Sequence, residues 1–292
     1  MQILEDRNAL SSYLLEQKKL HKTLGFAPTM GALHEGHISL YKLARKQNDL
    51  VISSIFVNPT QFNHPEDLKK YPRTLDKDIK MLKSSNFVDA LYIPKIHDIY
   101  PEGLKSKKYH FDGLENEMEG KHRPGHFNGV STVVEEFLRQ VGPDNAYFGE
   151  KDFQQLAIIK KLVKQILLPV KIWGVPILRE KNGLAMSSRN QRLTNRQRHS
   201  AKIIYETLEK AKKEFGKITA DEIYEKVSAV FRQEKNFALE YFSIVEENTL
   251  KETRFAEPDP NIAYRAFIAV YAGDVRLIDN IALHSPLKKE PC

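Results

Sequence analysis

Two histidines stand three residues apart in Pro28-Thr29-Met30-Gly31-Ala32-Leu33-His34-Glu35-Gly36-His37. The stretch follows the apolar run Leu24-Gly25-Phe26-Ala27 and precedes Ile38 to Ala44, which has helical periodicity. It reads as a strand, a glycine-bearing turn and a helix start. Residues three apart on a helix share a face. A helix N-terminus offers unpaired N–H groups and a positive dipole end, which suit an anion. Imidazoles can donate to phosphate oxygens and stabilise charge that builds up in a transition state. This is chemistry suited to attack on a nucleotide α-phosphate. The plainer readings are surface histidines or half of a zinc site. Structural zinc needs further ligands, yet the lone cysteine is Cys292 and no matching histidine cluster accompanies the pair.

Five other segments carry polar groups at the ends of predicted elements. Phe56-Val57-Asn58-Pro59-Thr60-Gln61-Phe62 leaves a predicted strand, and the amides of Asn58 and Gln61 can donate and accept, which suits a hydroxy acid. A strand-end turn with Asn58 capping backbone is the alternative. Phe148-Gly149-Glu150-Lys151-Asp152-Phe153-Gln154-Gln155 also leaves a strand and opens a helix. Gly149 permits close backbone approach, Lys151 offers a point charge to phosphate, and Asp152 is a good N-cap. Gln154 and Gln155 point in different directions, so at most one faces a given ligand. Leu184 to Asn190 holds Met186, Ser187, Ser188 and Arg189, two hydroxyls and a guanidinium that could clamp a triphosphate or form a plain polar linker. Arg123 in Arg123-Pro124-Gly125-His126-Phe127 adds a further cation. Tyr71-Pro72-Arg73-Thr74 begins a helix with Thr74 as N-cap. Asp76 and Asp78 then favour its dipole, a place near Mg2+ being the other reading.

The elements that must position these groups follow from hydropathy. Leu50 to Val57 is a nearly continuous apolar run rich in β-branched residues, as in a buried central strand. Ala90 to Pro94, Ala146 to Phe148 and Val170 to Val175 read as further strands. Helical patterns cover Ile38 to Lys46, Leu75 to Ser84, Val130 to Gln140 and Phe153 to Gln165. Such alternation predicts a mostly parallel α/β sheet with helices on both faces. Ligands of such sheets bind outside the C-terminal strand ends. Past about residue 178 the pattern changes. A long charged helix is expected over Thr194 to Phe215 and a second over Asp221 to Phe231. Two β-type runs follow, Leu239 to Val245 and Ala263 to Tyr271, separated by Glu257-Pro258-Asp259-Pro260. The expected organisation is a Rossmann-like nucleotide-binding domain over 1–177 and a smaller α+β domain over 178–292, hinged near Leu178 to Gly183 and able to close on substrate.

Composition narrows the class. Of 292 residues, 41% are hydrophobic and 28% charged, as in an ordinary globular protein. The N-terminal Met1 to Arg7 is charged where a signal peptide needs an apolar core, and no apolar run nears the roughly 20 residues of a membrane span. A single cysteine excludes an intrachain disulfide and fits a cytoplasmic location. The net charge of +7 admits a nucleic-acid partner. Its lysine pairs are scattered, however (Lys18-Lys19, Lys69-Lys70, Lys107-Lys108, Lys160-Lys161, Lys288-Lys289), and an anionic small substrate would also favour a basic cleft.

Taken in order, Pro28 to His37, Phe56 to Phe62, Tyr71 to Thr74, Arg123 to Phe127, Gly149 to Gln155 and Met186 to Asn190 make the chain similar to the pantoate–β-alanine ligases (pantothenate synthetases). Tyr241 to Val245 and Asp274 to Asn280 extend the resemblance into the C-terminal region. It implies a Rossmann-like nucleotidyltransferase domain, a small C-terminal lid and a homodimer, with neither nucleic-acid nor membrane partner. It implies ATP with Mg2+ as substrate and no organic prosthetic group. Pantoate is first adenylated with release of pyrophosphate, and β-alanine then displaces AMP. By motif, the resemblance places Met30, Gly31, Ala32, Leu33, His34, Glu35, Gly36 and His37 on ATP, with His34 and His37 on its phosphates. His37 is cast as proton donor, although charge stabilisation describes it better, since a phosphoanhydride leaving group needs little protonation. Gly149, Glu150, Lys151 and Asp152 would line the nucleotide site, Leu178 would touch adenine or ribose, and Met186, Ser187, Ser188 and Arg189 would close over the triphosphate. His37, His34, Lys151 and Arg189 form the implied catalytic set. Gln61 and Gln155 would hold pantoate, and Gln61 would also lie near β-alanine, with Asn58 and Arg123 as further pantoate/β-alanine contacts beside them. Two alternatives stand: another nucleotidyltransferase of the same fold acting on a different acid, and a nucleic-acid-binding protein.

Overall fold

In the computed structural model, which describes residues 1–253 and 258–284, the chain divides into two units, Met1–Leu178 and Arg179–Cys292. Glu257, Lys288, Lys289 and Cys292, named above, lie outside the described residues.

The first unit is built on strands β1 (Gln2–Leu4), β2 (Leu24–Thr29), β3 (Leu50–Ile55), β4 (Ala90–Tyr92), β5 (Asn145–Gly149) and β6 (Lys171–Val175). All pair in parallel, in the order β1-β4-β3-β2-β5-β6. This is the expected Rossmann-like sheet. All six residues of β3 are buried, as a strand covered on both faces requires. The helices are α1 (Arg7–Lys18), α2 (Glu35–Gln47), α3 (Pro65–Lys70), α4 (Leu75–Ser85), α5 (Ile96–Ile99), α6 (Met118–His122), α7 (His126–Val141) and α8 (Phe153–Gln165). Successive strand residues serve opposite faces. Ala27, Val51, Ile55 and Leu91 meet Leu40, Tyr41 and Ala44 of α2 and Leu82 of α4. On the other face Phe137 of α7 lies 5.7 Å from Phe26 and 6.1 Å from Tyr92, ring centre to ring centre. Strand β1 was not expected from the sequence. It is three residues long and only Leu4 is buried, too little to show a period.

The strand order reverses at β2: β3 lies on one side of it and β5 on the other. Connections leaving β2 and β5 therefore diverge, and the carboxyl ends of strands at such a reversal are the usual ligand position in such sheets.

The second unit has an antiparallel sheet of β7 (Ala238–Glu246), β8 (Tyr264–Ala272) and β9 (Val275–His284) in sequence order. Ile204 and Leu208 of α10 (Lys202–Glu214) and Ile223, Val227 and Phe231 of α11 (Ala220–Gln233) share its core with Phe242, Ile244, Ile268 and Val270. The single helix expected over Thr194 to Phe215 is in fact two. Helix α9 (Asn195–Ser200), capped reciprocally by Thr194 and Gln197, stops before α10 with no glycine or proline to mark the break. No helix among the described residues is long and apolar enough to cross a membrane.

Candidate active site

The turn after β2 is held from below. Gly31 has φ +79 and Ala32 φ +50, so two successive residues occupy the left-handed region. Glycine suits the first: a Cβ there would meet Asp78 Oδ2 and Ile55 Cγ2, both at 3.1 Å. Asp78 is buried on α4, and its carboxylate accepts from the N–H of Ala32 at 2.9 Å and of Leu33 at 2.8 Å. Thr74 donates its hydroxyl to the same carboxylate at 3.1 Å and makes no side-chain cap bond. Asp78 thus does more than favour the helix dipole. Both oxygens are committed to the turn, while Asp76 is exposed. Among the described residues no group of three or more His, Cys, Asp or Glu is placed to hold a metal.

The start of α2 corrects the expectation of unpaired backbone donors. His34 is the N-cap, and its Nδ1 accepts from the N–H of Gly36 at 3.1 Å. His37 Nδ1 in turn accepts from the N–H of His34 at 3.3 Å. The two histidines close a capping box in which each ring satisfies a backbone donor. An amide N–H can only donate, so both Nδ1 atoms are acceptors and the ring protons sit on Nε2. The rings lie 4.0 Å apart, centre to centre. The donors available for an anion are therefore imidazole N–H groups as much as backbone. Loss of solvation holds the His37 pKa well below the ordinary histidine value, reinforced by His34 and by the Lys151 ammonium. His37 is neutral at physiological pH, and Lys151 is close enough for its charge to be felt there.

Lys151 lies on a short 3-10 turn, Glu150–Asp152, directly after β5. The sheet reversal thus brings the Lys151 turn and the histidine turn onto neighbouring strands. Gly149 has open space where a side chain would stand. Asp152 precedes α8 but makes no side-chain cap bond, and its carboxylate lies 3.7 Å from Lys151 Nζ. The two glutamines separate as expected. Gln154 is buried, donating to the carbonyls of Leu114 and Glu117 and accepting from the N–H of Glu119, whereas Gln155 is half-buried.

Gln61 sits on a second 3-10 turn, Pro59–Gln61, that rests on α7. Gly129 makes the contact possible, since a Cβ there would stand 2.5 Å from the Thr60 carbonyl oxygen. Asn58 is buried and donates to Gln61 Oε1 and to the Gly129 carbonyl, both at 3.1 Å. Gln61 Nε2 lies 3.1 Å from the Met30 sulfur. Arg123 and His126 both reach the main-chain carbonyl oxygen of Gln61, at 3.2 and 2.8 Å, and the Glu119 carboxylate lies 3.6 Å from Arg123. Asn58 and Arg123 therefore brace Gln61 from behind. Sequence reasoning missed Asp78 as a brace and gave His126 no role of its own, and it missed Tyr100 and Gly129 altogether. Gly129 alone had a signal, an isolated glycine at a helix start, where close backbone approach is a common reason.

In the second unit Arg179 pairs with Ala185 in a β-bridge, so the expected hinge segment is structured from residue 179. Arg179 also holds Asp279 at 2.6 and 3.0 Å and lies over the Tyr205 ring. The Met186–Arg189 segment follows. Ser187 accepts from the N–H of Arg189 at 3.3 Å, Ser188 is buried, and Met186 and Arg189 are half-buried. Asn190 anchors it, donating to Glu180 at 2.9 Å and to the Ala185 carbonyl at 3.1 Å. Leu178, at the end of the first unit, is 41% exposed.

Paired histidines thus stand at the order reversal of a Rossmann-like parallel sheet. A model of the Pantoate-beta-alanine ligase family matches residues 2–282. A pantothenate synthetase of Flavobacterium psychrophilum is 52% identical over 97% of this chain and 100% of its own length. That of Christiangramia forsetii is 48% identical over 98% and 100%. The crystal structure of pantothenate synthetase from Thermus thermophilus superposes with a TM-score of 0.88 at 36% identity, covering 98% of this chain and 100% of that one. Pantoate-beta-alanine ligase from Francisella tularensis, complexed with beta-gamma ATP and β-alanine, gives 0.81 at 39% identity with the same coverage. The chain belongs to the pantoate–β-alanine ligase family and is an ATP-dependent ligase of that kind.

Proposed function

We propose that the first unit binds ATP and pantoate at the carboxyl ends of β2 and β5 and activates pantoate there, with the second unit serving as a lid. The observation that carries this reading is the placement of the histidine turn and the Lys151 turn on adjacent parallel strands at the sheet reversal. In the first step a pantoate carboxylate oxygen attacks the α-phosphorus of Mg·ATP, and the bond to pyrophosphate breaks. In the second, the β-alanine amine attacks the acyl carbon of pantoyl adenylate, AMP leaves, and the nitrogen gives up a proton. No covalent enzyme nucleophile is needed, and catalysis is positioning and charge stabilisation. His37, neutral and protonated on Nε2, donates a hydrogen bond to a phosphate oxygen without surrendering its proton. His34 does the same beside it, and Lys151 supplies positive charge. Gln61 and Gln155 hold pantoate. Glu150, Asp152 and Leu178 line the nucleotide, while Met186, Ser187, Ser188 and Arg189 meet the triphosphate. Mg2+ arrives as the ion of ATP. A cytoplasmic homodimer goes with this reading.

The test is pyrophosphate–ATP exchange with Mg2+ and pantoate in the absence of β-alanine. Exchange that requires pantoate, followed by AMP release on adding β-alanine, is expected. A folded, ATP-binding protein that shows no exchange with pantoate overturns adenylation as the first step. Arg189→Ala should slow pyrophosphate exchange about tenfold or more, the scale of one charge-assisted contact, while preformed pantoyl adenylate is consumed at nearly the normal rate. Equal losses in both assays would remove Arg189 from the triphosphate.

A further inference from the structure

The carboxamide of Gln61 has two faces of opposite character, and neighbouring groups decide which one meets a ligand. The decision begins at a group whose role is unambiguous. The Gly129 carbonyl can only accept, and Asn58 faces it at 3.1 Å, so the Asn58 atom there is Nδ2. Asn58 Oδ1 then lies on the far side, where it accepts from the Tyr100 hydroxyl at 2.6 Å and the Thr60 hydroxyl at 3.1 Å. These two hydroxyls also contact each other at 2.8 Å, and both Asn58 and Tyr100 are buried. Since Nδ2 also faces Gln61 at 3.1 Å, the Gln61 atom opposite must be the acceptor, Oε1. Gln61 Nε2 is thereby turned to the other side, toward Met30 at the root of the histidine turn.

We propose that Asn58, oriented by the Gly129 carbonyl and the Tyr100 hydroxyl, is a positioning residue that locks the Gln61 carboxamide with its NH2 toward the acid substrate, so that the site selects a hydrogen-bond acceptor oxygen there. The proposal rests on the assignment of Gln61 to pantoate. It explains why a buried asparagine with every hydrogen-bonding group engaged by protein stands three residues before the glutamine: its task is the orientation of a neighbour. A glutamine without that lock presents either face, and a mismatched face costs about one hydrogen bond, roughly tenfold in affinity.

The test is a double-mutant cycle read as KM for each substrate. Asn58→Asp replaces the donor facing Gln61 with an acceptor, so the Gln61 amide turns over and offers Oε1 to pantoate. The KM for pantoate is expected to rise about tenfold or more, with that for ATP within about twofold. In a Gln61→Ala background the same substitution is expected to change the pantoate KM by less than about twofold, because nothing remains to orient. Tyr100→Phe keeps the Asn58 amide but removes one of its orienting donors. It should act in the same direction by about threefold, again only when Gln61 is present, and it carries the test if Asn58→Asp does not fold. Equal fold-changes with and without Gln61, or an ATP KM rising in step, would overturn the proposal and leave Asn58 a packing residue. An unchanged pantoate KM for Gln61→Ala alone would instead remove Gln61 from the pantoate site.

Discussion

Replacing His37 with alanine should lower turnover by about 10²-fold or more, the usual scale for one transition-state donor. The substitution removes two things at once, the Nε2 proton and the Nδ1 acceptor that caps His34. His37→Asn separates them. Its side-chain oxygen can still accept from the His34 N–H, but its amide does not reach where Nε2 stood. The expected result is normal thermal stability with turnover still reduced about as far as in His37→Ala. Recovery of the rate in His37→Asn would assign the loss to the cap and free His37 from the chemistry. The lowered pKa adds a second observable. The ring stays neutral as pH falls from 8 toward 6, so kcat/KM should show no acid limb from His37 in that range. Stability behaves differently. Below the unfolded pKa of about 6.5 the unfolded chain takes up a proton that the folded ring refuses, so the contribution of His37 is full above that pH and lost as pH falls toward the folded value. Urea titrations at pH 7.5 and 5.5 should show a smaller acid penalty in His37→Asn than in the parent.

Asp78→Ala is expected to be the most damaging single change outside the ligand contacts. It removes the carboxylate that accepts from the buried N–H groups of Ala32 and Leu33, in a turn where Gly31 and Ala32 already occupy the left-handed region. Losing a buried donor's bond costs about 1–3 kcal/mol, so about 2–6 kcal/mol of stability should be lost for the two. The denaturation midpoint reads this directly. Protein that remains folded should use ATP poorly, because the turn carrying both histidines is no longer fixed. Asp78→Asn keeps the shape but turns an NH2 toward one of the two donors, and should fall between the parent and alanine. A normal midpoint for Asp78→Ala would show that the turn holds itself.

The parallel sheet was legible because β3 and its neighbours are continuous apolar runs between amphipathic helices, and a strand covered on both faces shows in composition alone. The histidine turn was legible because glycine and two histidines are sparse signals at a strand–helix junction. What was not legible depends on residues distant in the chain. Asp78 lies 46 residues beyond Ala32, and no local pattern announces that a carboxylate in the first turn of a helix will fold back under another segment. Asn58 and Arg123 have the right chemistry to touch a substrate, and only the fold shows that they also bond to Gln61, beside Gly129, Tyr100 and His126. The break between α9 and α10 also left no mark, since every residue there is compatible with a helix.

The reciprocal cap formed by His34 and His37 has a further chemical consequence. A transition metal binds imidazole through a ring lone pair. In this pair each Nδ1 lone pair points at a backbone amide, and each Nε2 carries a proton. The spacing that looks like half of a chelate thus presents N–H bonds outward, a surface that attracts oxyanions and turns cations away. Immobilised nickel should find no handhold in this turn, and trace copper or zinc in a cell extract should not compete with phosphate for it.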